Sequence, residues 1–180
     1  SLPLVAGEKQ SSSPVMKDMI SPMENTVYFL PNSDARQSQI YFYIPMGDYN
    51  REENVRREAF NQYISGGFSG LIMNEIREKN SMAYTAYGFA SSRGLPGAQT
   101  YFSGYIGTQN DKAVDAIDLY MKLLTDMPER PGRIDNIKSY LRQSALTDHP
   151  DSRNLSLRIA EWKRRGYTDD PAKELSLIHI

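Results

Sequence analysis

The spacing of apolar positions changes several times along this chain, and each change predicts an element. Thr26–Leu30 and Gln39–Ile44 are runs rich in β-branched and aromatic residues with little polar alternation, which predicts two well-covered strands. Pro31-Asn32-Ser33-Asp34 closes the first run, and Pro45 and Gly47 close the second. Beyond Asp48 and Asn50, both candidate N-caps, the period lengthens. Val55, Ala59, Phe60, Tyr63 and Ile64 recur at helical spacing, with Glu52 and Glu53 near the positive end of the helix dipole. Gly66-Gly67 interrupts the stripe, which Leu71, Ile72 (or Met73) and Ile76 resume to about Lys79. The glycine pair reads either as a break between two helices or as close backbone approach to a neighbouring element or substrate.

Ala83–Ser91 and Thr100–Thr108 are strand-like again, joined by the turn signal Arg93-Gly94-Leu95-Pro96-Gly97. Asp111 is the candidate cap of a helix whose apolar face is Val114, Ile117, Tyr120, Met121 and Leu124. After Met127–Gly132, the positions Ile134, Ile137, Tyr140, Leu141 and Ala145 mark a further helix. Leu155–Arg165, stopped by Gly166, marks another, and a short helix is expected from Pro171. Strand, strand, helices, strand, strand, helices is an α+β order: an antiparallel sheet with helices packed on one face. Residues 1–24, with Pro3, Gly7, Ser11-Ser12-Ser13-Pro14 and Pro22, have linker chemistry, so residues 25–180 are expected to form one domain.

Composition narrows the function classes. The 180 residues suffice for one sizeable core, and a net charge of -1 gives no electrostatic footprint for nucleic acid or an anionic membrane. Lys163-Arg164-Arg165 stands among Glu161, Asp169 and Asp170 and reads as a solvated helix end. The chain has no cysteine, hence no disulfide, thiolate metal site or cysteine nucleophile. No apolar run approaches the roughly 18 residues of a spanning helix. Ser1–Val5 lacks the form of a signal peptide, and a start at Ser suggests a piece of something longer.

The inventory of reactive groups is thin. Zinc hydrolysis of peptides needs clustered imidazoles, a carboxylate ligand and a second carboxylate to activate water, as His-x-x-Glu-His supplies from one helix turn. That motif is absent, and the two histidines, His149 beside Pro150 and His179 near the end, read as passive. Gly66-Gly67-Phe68-Ser69-Gly70 places a serine among glycines without a histidine partner, and Asp169-Asp170 before Pro171 reads as capping. From its residues alone, the chain offers no catalytic set.

One block carries more information: Ile76-Arg77-Glu78-Lys79-Asn80-Ser81-Met82-Ala83-Tyr84, after Gly66-Gly67-Phe68-Ser69-Gly70. With Gln37-Ser38-Gln39, Gly104, Gly166-Tyr167 and Asp170-Pro171 in this order, the stretch from about Val27 to Pro171 resembles the zinc-free half-domain of pitrilysin/insulinase-type metallopeptidases. The resemblance implies two homologous α+β half-domains around a closed chamber, one binding zinc. It implies that Arg77 and Tyr84 bind peptide substrate or stabilise the transition state, and that Gly66 and Gly67 offer possible backbone contacts. No metal or cofactor is expected in this chain; zinc is expected in a partner half-domain, on the same polypeptide or another subunit. The fragment alone is expected to be inactive.

Against that stands a plainer reading of the same residues. Arg77 would be occupied by Glu75 or Glu78 at a helix end, Tyr84 would be one of twelve tyrosines, and the chain would be a scaffold half without proteolytic role. Compared with the family pattern, the chain ends at Leu175–Ile180 before an expected closing helix and strand, so a trimmed C-terminus is expected. Family habit suggests a bacterial periplasm or envelope; no residue signal does.

Overall fold

The computed structural model describes residues 20–67 and 70–176. Three strands, β1 (Gln37–Asp48), β2 (Thr85–Ser92) and β3 (Gln99–Gln109), form an antiparallel sheet in the order β1-β3-β2. Tyr41 and Tyr87 both pair with Tyr105, and Phe42 and Gly88 both pair with Gly104. Strand alternation therefore sends one set of side chains to each face.

One face is the core. Phe102 and Ile106 of β3 and Ala86 of β2 pack with Ile64 of α1 (Asn54–Ser65) and with Ala116, Tyr120 and Leu123 of α2 (Ala113–Thr125). Leu71, Ile72 and Ile76, all fully buried, complete it from a helical segment that becomes a π-helix over Met73–Glu78. Gly88 and Gly104 are opposed in register and leave a notch that Tyr120 fills. Its ring lies flat on Phe42, with centroids 4.3 Å apart and planes 3° apart, and its hydroxyl donates to the Tyr87 carbonyl at 2.9 Å. On the far side of α1, α3 (Ile134–Thr147) sets Ile137 and Leu141 against Val55, Ala59 and Tyr63.

The outer edge of β2 is closed by side chains of α1. Asn61 accepts from the Ala90 N–H at 2.7 Å and donates to the Ala90 carbonyl at 3.0 Å. Ser65 treats Gly88 the same way, at 2.9 and 2.7 Å. Residues four apart on a helix rise about 6 Å, close to the two-residue repeat of a strand, so one helix face can satisfy alternate edge peptides.

The α+β class stands as the sequence implied. α4 (Leu155–Arg164) ends at Gly166, whose φ of +87° lets Gly166 and Tyr167 donate back to the Lys163 and Trp162 carbonyls. α5 (Pro171–Ser176) follows, capped by Asp170, which accepts from the Ala172 N–H.

Five expectations change. Gln39–Ile44 lies in β1 but is not well covered, with Tyr41 71% exposed. The face that α2 turns to the core is Ala116, Tyr120 and Leu123, while Val114 and Met121 are exposed. Asp111 lies in a 3-10 turn, Asn110–Lys112, and makes no side-chain cap of α2. The Leu71–Lys79 stripe is a π-helix for most of its length. Thr26–Leu30 forms no strand: Val27, Tyr28, Phe29 and Leu30 are 83–89% exposed. Strand propensity is a preference for a pleated, half-covered surface, and among the described residues no strand pairs with this run. Of the expected linker, residues 1–19 lie outside the described part, and 20–24 hold no regular element.

Candidate functional site

The segment between the π-helix and β2 is positioned from both ends. Ile76 is sealed in the core, and Lys79 N–H reaches Asn74 O at 3.0 Å, the five-residue step of a π-turn. The chain then reverses: Ser81 N–H bonds Arg77 O at 2.9 Å, and Met82 N–H bonds Ile76 O at 3.0 Å. Ser81 takes φ +51°, the one non-glycine with positive φ among the described residues. On the strand side, Tyr84 N–H bonds Gly107 O at 2.9 Å, and the Thr108 hydroxyl donates to Met82 O at 2.5 Å. A π-turn followed by a left-handed serine is a costly local conformation, held here by core contacts on both sides.

Arg77 and Tyr84 stand at the two ends of this reversal. The Arg77 guanidinium reaches Met73 Sδ at 4.0 Å and Glu78 at 3.7 Å, and its side chain is 45% exposed. The Tyr84 hydroxyl accepts from Gln109 Nε2 at 3.0 Å, and Tyr84 is 52% exposed. The two side chains thus face solvent from one turn with different partners.

Glu75 does not occupy Arg77. Its carboxylate, 16% exposed, pairs with Lys79 at 3.0 Å and with Arg130 from the loop after α2. Arg130 is far in sequence, which is why the pattern of charges around Arg77 suggested a competitor that the fold has already engaged. Gln109 was equally invisible as a partner of Tyr84; only the β2–β3 register brings them together.

Gly66 ends α1, its N–H bonded to Gln62 O at 2.9 Å, and Gly67 takes φ +57°. Phe68 and Ser69 lie outside the described residues. An apolar cavity of about 470 Å³ opens between α1, α3 and the loop Met127–Pro131, lined by Phe60, Tyr63, Met127 and Ile137 among others, and includes neither Arg77 nor Tyr84.

Among the described residues, no group of three or more His, Asp or Glu side chains is placed to hold a metal ion. His149 is exposed, and His179 lies outside them. No helix of the described residues is long and apolar enough to cross a membrane.

With this geometry, a turn presenting an arginine and a tyrosine on an α+β sheet, the sequence matches the family described as the Peptidase M16 inactive domain over residues 9–138. The chain belongs to that family. Its fold is similar to the peptidase M16 inactive domain from Pseudomonas fluorescens, with a TM-score of 0.60 and 16% identity over 79% of this chain and 34% of that one. It is also similar to a protease from Helicobacter pylori, with a TM-score of 0.56 and 14% identity over 81% of this chain and 38% of that one. The chain therefore spans little more than a third of either structure. No curated protein matches the sequence.

Proposed function

We propose that this chain is the zinc-free half of a two-part peptidase: it binds peptide, closes the chamber against a zinc-binding half, and supplies Arg77 and Tyr84 beside the reacting carbonyl. The supporting observation is the availability of Arg77. Its strong competitor Glu75 is engaged by Arg130 and Lys79, and the remaining Glu78 contact is loose and exposed. A guanidinium and a phenol are donors suited to a carbonyl oxygen or the oxyanion it becomes, where charge develops during attack. Zinc and the water it activates belong to the partner half in this reading. The left-handed backbone of Gly67 accounts for glycine there without a ligand. The reading therefore rests on Arg77 and Tyr84, not on the glycine pair.

The test is peptide cleavage by the assembly of this chain with its zinc-binding half, comparing wild type with Arg77→Ala and Tyr84→Phe. Losing one oxyanion donor lowers kcat by about 10²–10³-fold, so a fall of that order with an unchanged thermal midpoint is expected for Arg77→Ala. Unchanged turnover would reduce Arg77 to a surface residue. No cleavage by the wild-type assembly would favour a scaffold half.

A further inference from the structure

Four consecutive apolar residues stand in water. Val27, Tyr28, Phe29 and Leu30 are 83–89% exposed and belong to neither core cluster. Such a run on a surface is unfavourable unless something covers it. Its two flanks are held at opposite ends of the sheet. Before it, Gln99 Nε2 donates to Ser21 Oγ at 3.1 Å, and Gln99 pairs with Asp48 at the end of β1. After it, Asn110 Nδ2 donates to the Ala35 carbonyl at 3.0 Å, and the Ser38 hydroxyl, at the start of β1, donates to Asn110 Oδ1 at 2.9 Å. The chain from Ser21 to Ala35 therefore runs the length of β1 in the opposite direction. The turn that reverses it is already formed: Ala35 N–H bonds Asn32 O at 3.2 Å, and Asp34 N–H bonds Asn32 Oδ1 at 3.0 Å. Opposed direction across a short turn is the connection of a β-hairpin.

Beside this run lies an open edge. α1 closes the outer edge of β2, whereas β1 pairs with β3 on one side and, among the described residues, with no strand on the other. Gln37–Ile44 has neither a charge nor a proline, two of the features that ordinarily blunt an edge; Pro45 comes only after it. Ile40 and Phe42, on the core side of β1, are only partly buried. The edge is thus competent to pair and has apolar surface left to cover.

We infer that Thr26–Leu30 closes onto this edge as a fourth strand, a strap made by the chain itself. Side-chain chemistry chooses the register. Val27 opposite Ile40 puts Val27 and Phe29 on the core side, over the half-covered Ile40, and leaves Tyr28 on the side of Tyr41 with its hydroxyl in water. Continued past Thr26, the same register sets Ser21 opposite Met46, next to the Asp48–Gln99 end where Ser21 is already held. At the other end it sets Leu30 opposite Gln37, with the formed turn between them. One register therefore suits both faces and both tethers. Closure gives the edge peptides of β1 and of the strap partners in each other. Fixed ends reduce the entropy that closure costs and keep the strap at high local concentration, so a strand from a second copy competes poorly for the same edge.

The experiment uses the 180-residue chain in two ways. Hydrogen-exchange NMR compares wild type with Tyr28→Pro, which cannot complete the strand. Amides within Thr26–Leu30 and along the outer edge of β1 should exchange about tenfold or more slower in wild type. The second measurement is a crosslink, clean because the chain has no cysteine. Tyr28→Cys with Gln39→Cys, opposed on one face in this register, should form a disulfide within one chain under mild oxidation. Phe29→Cys with Gln39→Cys, sent to opposite faces, should stay reduced. Should either cysteine pair not fold, the exchange comparison decides alone. Exchange in wild type as fast as in Tyr28→Pro would overturn the inference, as would equal oxidation of the two pairs. Disulfides formed only between chains, with dimers that grow with concentration, would assign the edge to a second copy and overturn it too. None of these outcomes depends on Arg77 or Tyr84, so the strap and the catalytic reading stand or fall separately.

Discussion

Gly104 has no side chain, and α2 docks because of it. A Cβ there would run into the Tyr120 hydroxyl, whose ring cannot retreat because it is stacked on Phe42. Gly104→Ala should therefore destabilise the fold by about 1–3 kcal/mol, the usual cost of overpacking. A lower urea midpoint at constant m would establish it, and an unchanged midpoint would mean the notch is looser than described. The glycine itself stands out in the sequence, but its reason does not, since Tyr120 lies on another element. Arg77 and Tyr84 were legible in a similar, partial way. Their order along the chain could be read, whereas the engagement of Glu75 by Arg130 depends on a loop that sequence spacing does not relate to them.

At the scale of elements, α1 does two jobs with two faces. Its apolar stripe enters the core, and Asn61 and Ser65 take over the edge peptides of β2. An unpaired strand edge is a template for other chains, and this cover removes half of it. Asn61→Ala would leave the Ala90 N–H and carbonyl without partners, at a cost of roughly 1–3 kcal/mol. Faster exchange of the Ala90 amide in hydrogen-exchange NMR checks this; protection equal to wild type would contradict it. The hairpin of β2 and β3 and the extents of α2 to α5 follow the sequence pattern, because each has its own periodicity and turn residues, but the faces do not all match: Val114 and Met121 of α2 and Ile134 and Tyr140 of α3 are exposed. Thr26–Leu30 departs from it because a strand needs a partner, which periodicity cannot supply. The π-helix departs for a related reason: Leu71, Ile72 and Ile76 fit a helix of either pitch, and the core packing of this turn chooses between them.

For the molecule as a whole, two buried tyrosines tie stability to alkaline pH. Burial pushes the Tyr120 hydroxyl well above its usual value of 10.0, with Tyr87 adding to it. Burial does the same at Tyr167, reinforced by Tyr49 and Glu174 and opposed by Arg51. Raised folded values mean that the neutral phenols are stabilised by folding, so their contribution is complete below about pH 10 and is lost as the unfolded chain ionises above it. Each tyrosine should lower unfolding free energy by roughly 1.4 kcal/mol per pH unit in that range. Denaturant melts on either side of pH 10 measure it, and Tyr120→Phe should flatten the slope; a pH-independent curve would refute the assignment. By itself, the sequence determined the α+β order, the absence of a His-x-x-Glu-His motif and the family, because periodicity, composition and ordered motifs are local or linear properties. Tertiary structure alone decided which carboxylate Arg77 meets, how Tyr120 keys into the sheet and that six aromatic rings gather on one sheet face. Those depend on register and on contacts between distant residues, and no linear pattern encodes which strand lies beside which.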